Sequence, residues 1–193
     1  MPDACGQCHA DLQSDPWHYL CCPGRLITAR HNSCTCAICA WVTRLGGYAK
    51  YEPKGLGHDE EKKALRPDGR WEFGASCILG DITIHHALAQ SHIAKSSKGP
   101  LLSIQDVISE KKKKYADIAR DEKAKFHVFA LETTGGFSTQ ANAAVDALVE
   151  ASKAVHYVWA PKEVTFGLKR VLAVAVQRGN AEIVLAGLRR DSR

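Results

Sequence analysis

The sequence has no long hydrophobic run. No apolar stretch in its 193 residues approaches the roughly 20 needed to cross a bilayer as a helix. The charged-then-apolar pattern of a secretion signal is also missing, so an intracellular setting, nuclear or otherwise, is expected. There is no internal repeat, which sets aside solenoids and arrays. Acid is in short supply: 21 acidic residues face 26 lysines and arginines, for a net charge of +5. That balance permits a polyanionic partner without requiring one. Cysteine is absent beyond Cys77, and seven of the eight cysteines fall in the first 39 residues. In a chain not marked for secretion, such crowding favours metal binding over disulfides.

The crowded segment reads Cys5-x2-Cys8, then His18, then Cys21-Cys22. Thiolate and imidazole are preferred zinc ligands, and four of them close a tetrahedral structural site. Cys5, Cys8, His18 and Cys22 are the expected set, with Cys21 the competitor for the fourth place. The residues between them, among them Asp11, Ser14, Asp15 and Pro16, could not build a core, so metal would supply the folding energy. Residues 1–25 are therefore expected to form a CCHC zinc knuckle.

Residues 26–46 have helical spacing in Ile27, Ile38, Trp41, Val42 and Leu45, with Gly46-Gly47 as a stop. Cys34, Cys36 and Cys39 lie within it, as a second metal site or as small buried hydrophobes. Arg30 and His31, near its start, could touch phosphate or form a solvated helix end. A short strand from Tyr48, a loop over 53–57 and a charged stretch over 58–63 follow. Residues 90–100, with Lys95 and Lys98, read as a mobile basic loop. Leu102–Arg120 is a strong helix signal with Ser103 as the expected N-cap. A buried-type strand spans 126–132, an Ala-rich helix 138–154, and a last helix 163–178 that Gly179-Asn180 should stop.

Two acids stand out. Asp68 follows Arg66-Pro67, and Asp81 lies 13 residues later on a strand-like run. On that run Ile78, Ile82 and Ile84 share one face, and Asp81, Thr83 and His85 the other. A hairpin would bring the two carboxylates together at one end of a sheet. Paired carboxylates suit Mg²⁺ or Mn²⁺, which can polarise a phosphodiester and activate water. The plainer reading is that Pro67-Asp68-Gly69 is a turn and Asp81 an exposed strand residue. In the run Lys111–Lys114, helical spacing puts Lys111 on the apolar stripe and Lys114 beside it, while Lys112 and Lys113 face solvent. A lysine on a packed face must snorkel or meet a negative partner.

Taken in order, these features resemble the PD-(D/E)xK nuclease core, an α/β fold with a mixed central sheet flanked by helices. More narrowly, they resemble the C-terminal region of site-specific non-LTR retrotransposon polyproteins, where a CCHC knuckle precedes a restriction-like endonuclease. The resemblance rests on Cys5, Cys8, His18 and Cys22-Pro23; Arg30-His31-Asn32; Arg66-Pro67-Asp68; Asp81-Ile82-Thr83; Lys111, Lys114 and Tyr115; Glu132-Thr133 with Gly135-Gly136; and Gln177-Arg178-Gly179-Asn180-Ala181. It implies an endonuclease core over 26–158, a helical extension over 159–193, and catalytic roles for Asp68, Asp81, Lys111 and Lys114. Structural zinc, catalytic Mg²⁺ or Mn²⁺, and DNA or RNA as partner are implied with it, without a membrane. Arg25, Arg30, His31, Lys95 and Lys98 become the nucleic-acid contacts. The general motif has lysine two residues after the second acid; Thr83 stands there, and the retroelement branch moves the lysine to the next helix. No reverse-transcriptase motif is present, so the chain reads as part of a larger polyprotein or as a stand-alone remnant. The alternative function is a catalytically decayed, zinc-containing module that only binds nucleic acid.

Overall fold

The computed structural model describes residues 3–5, 8–22, 24–58, 63–99, 101–155 and 159–190. Most of the charged stretch 58–63, and Pro23 of the resemblance, lie outside the described residues. The architecture is mixed α/β: a four-stranded sheet with helices on both faces. Helix α1 spans Arg25–Arg44 and strand β1 Tyr48–Tyr51. Strands β2 (Gly69–Phe73) and β3 (Ser76–His85) form a tight hairpin. A one-turn helix α2 (Ile93–Ser96) and a 3₁₀ turn over Leu102–Ile104 lead into α3, Gln105–Asp121. Strand β4 (Lys125–Glu132) is followed by α4 (Thr139–Ser152) and α5 (Pro161–Arg190).

The strand order is β1-β2-β3-β4. The first three strands are antiparallel, and β4 lies parallel to β3. A parallel pair needs a crossover, which α3 supplies. The middle of β3 and β4, Ile78–Ile82 and Val128–Leu131, is consequently buried on both sides of the sheet. On one face Trp71, Phe73, Ile78, Ile82, Phe129 and Leu131 pack against α1, α4 and α5. On the other, Leu79 meets Tyr115 and Ile118, while Val128 and Ala130 meet Ile104 and Ile108, all four partners lying in or just before α3. The alternation expected for β3 is therefore present. Helix α5 adds Val164, Leu168, Leu172 and Val176 to the larger cluster.

Three local expectations are corrected. Ser103 does not cap α3: its hydroxyl is 2.7 Å from His85 Nε2 and 2.8 Å from Ser96 Oγ, inside the protein. Gly179-Asn180 does not stop the last helix, which continues through both to Arg190. A Cβ at Gly179 would lie 2.4 Å from Arg30 Cγ, so the glycine serves the close approach of α1 to α5 rather than a turn. Within the 90–100 segment, α2 replaces part of the expected loop.

Candidate functional site

The β2–β3 register pairs Gly69 with Gly80, so Asp68 arrives beside Asp81 at the same end of the hairpin. Asp68 is held there by the backbone: its Oδ2 accepts the Ile82 N–H at 2.6 Å. The two carboxyls are close enough for each to influence the other's ionisation. From α1, His31 Nε2 lies 3.1 Å from Asp68 Oδ1. From α3, the Lys111 ammonium pairs with Asp81 Oδ2. Tyr115, one turn beyond Lys111, donates its hydroxyl to the Arg66 carbonyl at 2.9 Å and so ties the Asp68 approach to α3. Four separate segments thus converge on one point.

The electrostatics follow from burial and crowding. The Asp81 side chain is only 5% exposed. Burial, then the neighbouring Asp68, pushes its carboxyl up to about 6 against the opposing pull of Lys111. Asp68 goes the other way. Burial alone would raise it, but the His31 hydrogen bond and charge and the Ile82 N–H outweigh that and lower it. Burial disfavours a charged His31, yet the hydrogen bond to Asp68 and the charges of both acids raise its affinity for a proton. The two acids are thus driven apart in proton affinity, Asp81 upward and Asp68 downward, with Lys111 beside the first and His31 beside the second.

The remaining expected residues divide. Lys114 is exposed, with its ammonium 5.1 Å from the centre of the Tyr115 ring, and does not contact the acids. Arg25 is exposed at the start of α1, and Lys98 is exposed. Lys95 is exposed and paired with Asp106. Arg30 is a correction. Only 3% exposed, it cannot grip an external phosphate. It donates to Asn180 Oδ1 at 2.7 Å and to the Leu20 carbonyl at 3.2 Å, joining the N-terminal segment, α1 and α5. Asn180 passes the link to the Thr133 carbonyl at 2.7 Å. His31 was expected at phosphate, and its place against Asp68 was not foreseen. Helical spacing carried the signal, since position 31 lies about 100° around α1 from the buried Arg30.

The N-terminal segment gathers a second cluster. The ligand atoms of Cys5, Cys8, His18 and Cys22 all lie within 4.8 Å of one another, a group that could hold a metal ion. Cys22 Sγ is 3.7 Å from both Cys5 Sγ and Cys8 Sγ, and His18 Nε2 is 2.9 Å from Cys8 Sγ. Cys21 turns away and donates to the His18 carbonyl. His18 Nδ1 faces Asp15 at 3.8 Å, which leaves Nε2 to the cluster. Asp15, His18 and Cys21 form an overlapping but smaller group. Cys34 is buried in the main core, where burial pushes its thiol up to about 12. Cys39 receives the Trp71 indole N–H at 3.4 Å. Neither belongs to a metal-ligating group among the described residues.

Among the described residues, no helix is long and apolar enough to cross a membrane. No protein-family model matches the sequence, and comparison with curated proteins finds no match.

Proposed function

We propose that the chain is a metal-dependent DNA endonuclease with a restriction-like, PD-(D/E)xK-type core and an N-terminal zinc knuckle. The observation that carries the reading is the meeting of Asp68, Asp81 and Lys111 at one end of the β2–β3 hairpin. Two neighbouring carboxyls, one of them buried and raised by its neighbour, are a donor set that a hard divalent cation relieves. Asp68 and Asp81 would hold Mg²⁺ or Mn²⁺. Such an ion supplies Lewis-acid stabilisation of the scissile phosphate and lowers the pKa of a bound water.

The other groups have roles of their own. Lys111 is placed to neutralise charge developing on the phosphate, acting at close range in a partly desolvated site. His31 and the Ile82 N–H fix the Asp68 carboxylate. Thr83 occupies the position where the general motif has lysine, and the approach of Lys111 from α3 supports the retroelement arrangement. A place alongside a reverse transcriptase in a larger polyprotein, with RNA as a further partner, belongs to the same proposal.

For the knuckle, the sulfur spacing supports zinc. Metal–sulfur bonds of about 2.3 Å at tetrahedral angles put sulfurs about 3.8 Å apart. Both Cys22 contacts, at 3.7 Å, match that edge. The Asp15 carboxylate behind His18 is the usual device for orienting a ligating imidazole.

The test is nicking of supercoiled plasmid with Mg²⁺ or Mn²⁺. The parent should convert supercoiled to open-circular DNA, and Asp81→Ala should be slower by at least ~100-fold. Equal rates for parent and variant would refute the assignment. A parent that binds DNA but never nicks it would move the reading to the decayed binding module.

A further inference from the structure

The face of α1 turned away from the acids carries a second feature. Helices α1 and α5 leave a groove of about 740 Å³ between them, with Arg44, Arg170 and Arg178 along it and Trp41, Val174 and Ala175 in its wall and floor. All three arginines are exposed, and none is in an ion pair among the described residues. One acid, Glu182, stands at the end beyond Arg178. Arg44 is pre-oriented: its guanidinium lies 4.5 Å from the Trp159 ring centre and 5.6 Å from that of Trp41. A guanidinium stacked on aromatic rings keeps its in-plane N–H groups free to fork onto phosphate.

We propose that this groove binds a short run of single-stranded nucleic acid. The arginines set the class of ligand. Arg170 and Arg178 are eight residues apart on one helix, about 12 Å along its axis, with Arg44 across the groove. That spread reaches several successive phosphates of one strand. The floor sets the form. A duplex offers mainly phosphates to a surface, whereas a single strand also exposes base faces, which an apolar and aromatic floor can cover. A second copy of the chain does not suit the groove, because a two-fold contact would bring the same arginines face to face. The residues involved are not those of the acid site, so the inference goes beyond the endonuclease reading and stands or falls separately from it.

The experiment is fluorescence anisotropy of a labelled 12-nucleotide oligo(dT) with the full chain over a range of salt. The double variant Arg170→Ala/Arg178→Ala should bind at least ten-fold more weakly at low salt. Its plot of log affinity against log salt should be shallower by about 1.4, two phosphate contacts on a single strand. Val174→Glu, at a position 42% exposed and so tolerant of charge, should weaken binding in the same direction. Binding of a 12-base-pair duplex should change less than three-fold. Parent-like oligo(dT) binding by both variants would overturn the proposal. So would an equal loss for the duplex, or capture of a poly-glutamate peptide in the groove while oligo(dT) affinity ignores the arginines. Arg170 and Arg178 lie outside the acid site, so their effect on oligo(dT) affinity is read without reference to cleavage. A parent that fails to nick plasmid would therefore count against the endonuclease reading alone.

Discussion

The cysteine–histidine cluster and the acid cluster are built in opposite ways. All four residues of the first lie between Cys5 and Cys22, and the apolar support there is small: Leu12, Tyr19 and Ile183 beside two of the cysteines. The second draws one residue each from α1, the lead into β2, β3 and α3, and rests on a two-sided core. Where ligands are local and the core is thin, bound metal must supply the folding energy. Where a core already holds the groups, the site stands before any ion arrives. That contrast can be broken by experiment, beginning where the expected effect is largest.

Chelation of zinc should collapse the knuckle and spare the sheet. Structural zinc contributes about 10–16 kcal/mol in small zinc modules at neutral pH. Cys22→Ser should purify with under half an equivalent of zinc, and amides of residues 8–22 should lose hydrogen-exchange protection. The β3 and β4 amides should stay protected. Cys21→Ser should retain its zinc, since that thiol faces the His18 carbonyl. If Cys21→Ser loses the metal and Cys22→Ser keeps it, the fourth ligand has been misassigned by one residue.

The hinge between the two regions is Arg30. Its removal leaves the Asn180 oxygen and the Leu20 carbonyl without their charged donor. Arg30→Ala should cost about 2–4 kcal/mol in chemical denaturation, because buried partners are left unsatisfied and a cavity opens. In zinc-free protein the same substitution should cost less, the Leu20 side of the contact having already been lost. An identical cost with and without zinc would show that the knuckle does not lean on Arg30.

Acid should expose the core's own weakness at the far end of β3. Burial, then His92 and His86, lowers the His85 imidazole to about 4. The unfolded chain takes up its proton near pH 6.5 and the folded chain only near 4, so this contribution is whole above pH 6.5 and drains away as pH falls to 4. It should be of order 2 kcal/mol, and His85→Gln should flatten the pH dependence of unfolding across that window. A variant with the parent's slope would place the sensitivity elsewhere, with His86 and His127, both also lowered by burial, the next to test.

How much of this was legible in the sequence follows the same division. The Cys5, Cys8, His18 and Cys22 cluster was legible because its four residues are close in sequence and their spacing suits one ion. The hairpin and the inward Lys111 were legible because period 2 on β3 and helical spacing on α3 are local patterns. What escaped depends on partners far along the chain. Arg30 reads as a surface cation until Asn180, 150 residues away, comes to meet it. Gly179 reads as a stop until α1 lies against it. Ser103 reads as a cap until His85 claims its hydroxyl. In each case a tertiary contact overrode a sound local rule.

The smallest expected effect, that of removing Lys114, gives the sharpest test of the acid site when set against Lys111. Lys111 and Lys114 are one turn apart, carry the same charge and share the resemblance to the retroelement lysine. Bulk electrostatics would treat them alike, but the structure does not. Lys111 pairs with Asp81, whereas Lys114 is exposed above the Tyr115 ring. If a lysine acts at the reacting phosphate, its effect depends on contact distance, so Lys111→Ala should slow nicking by roughly 100-fold. Lys114→Ala should stay within about two-fold of the parent at low salt, and any loss it shows should appear as weaker binding that deepens as salt rises. Equal losses for the two variants at saturating DNA would mean that the helix contributes only a basic surface, and Lys111 would lose its place in the proposed chemistry.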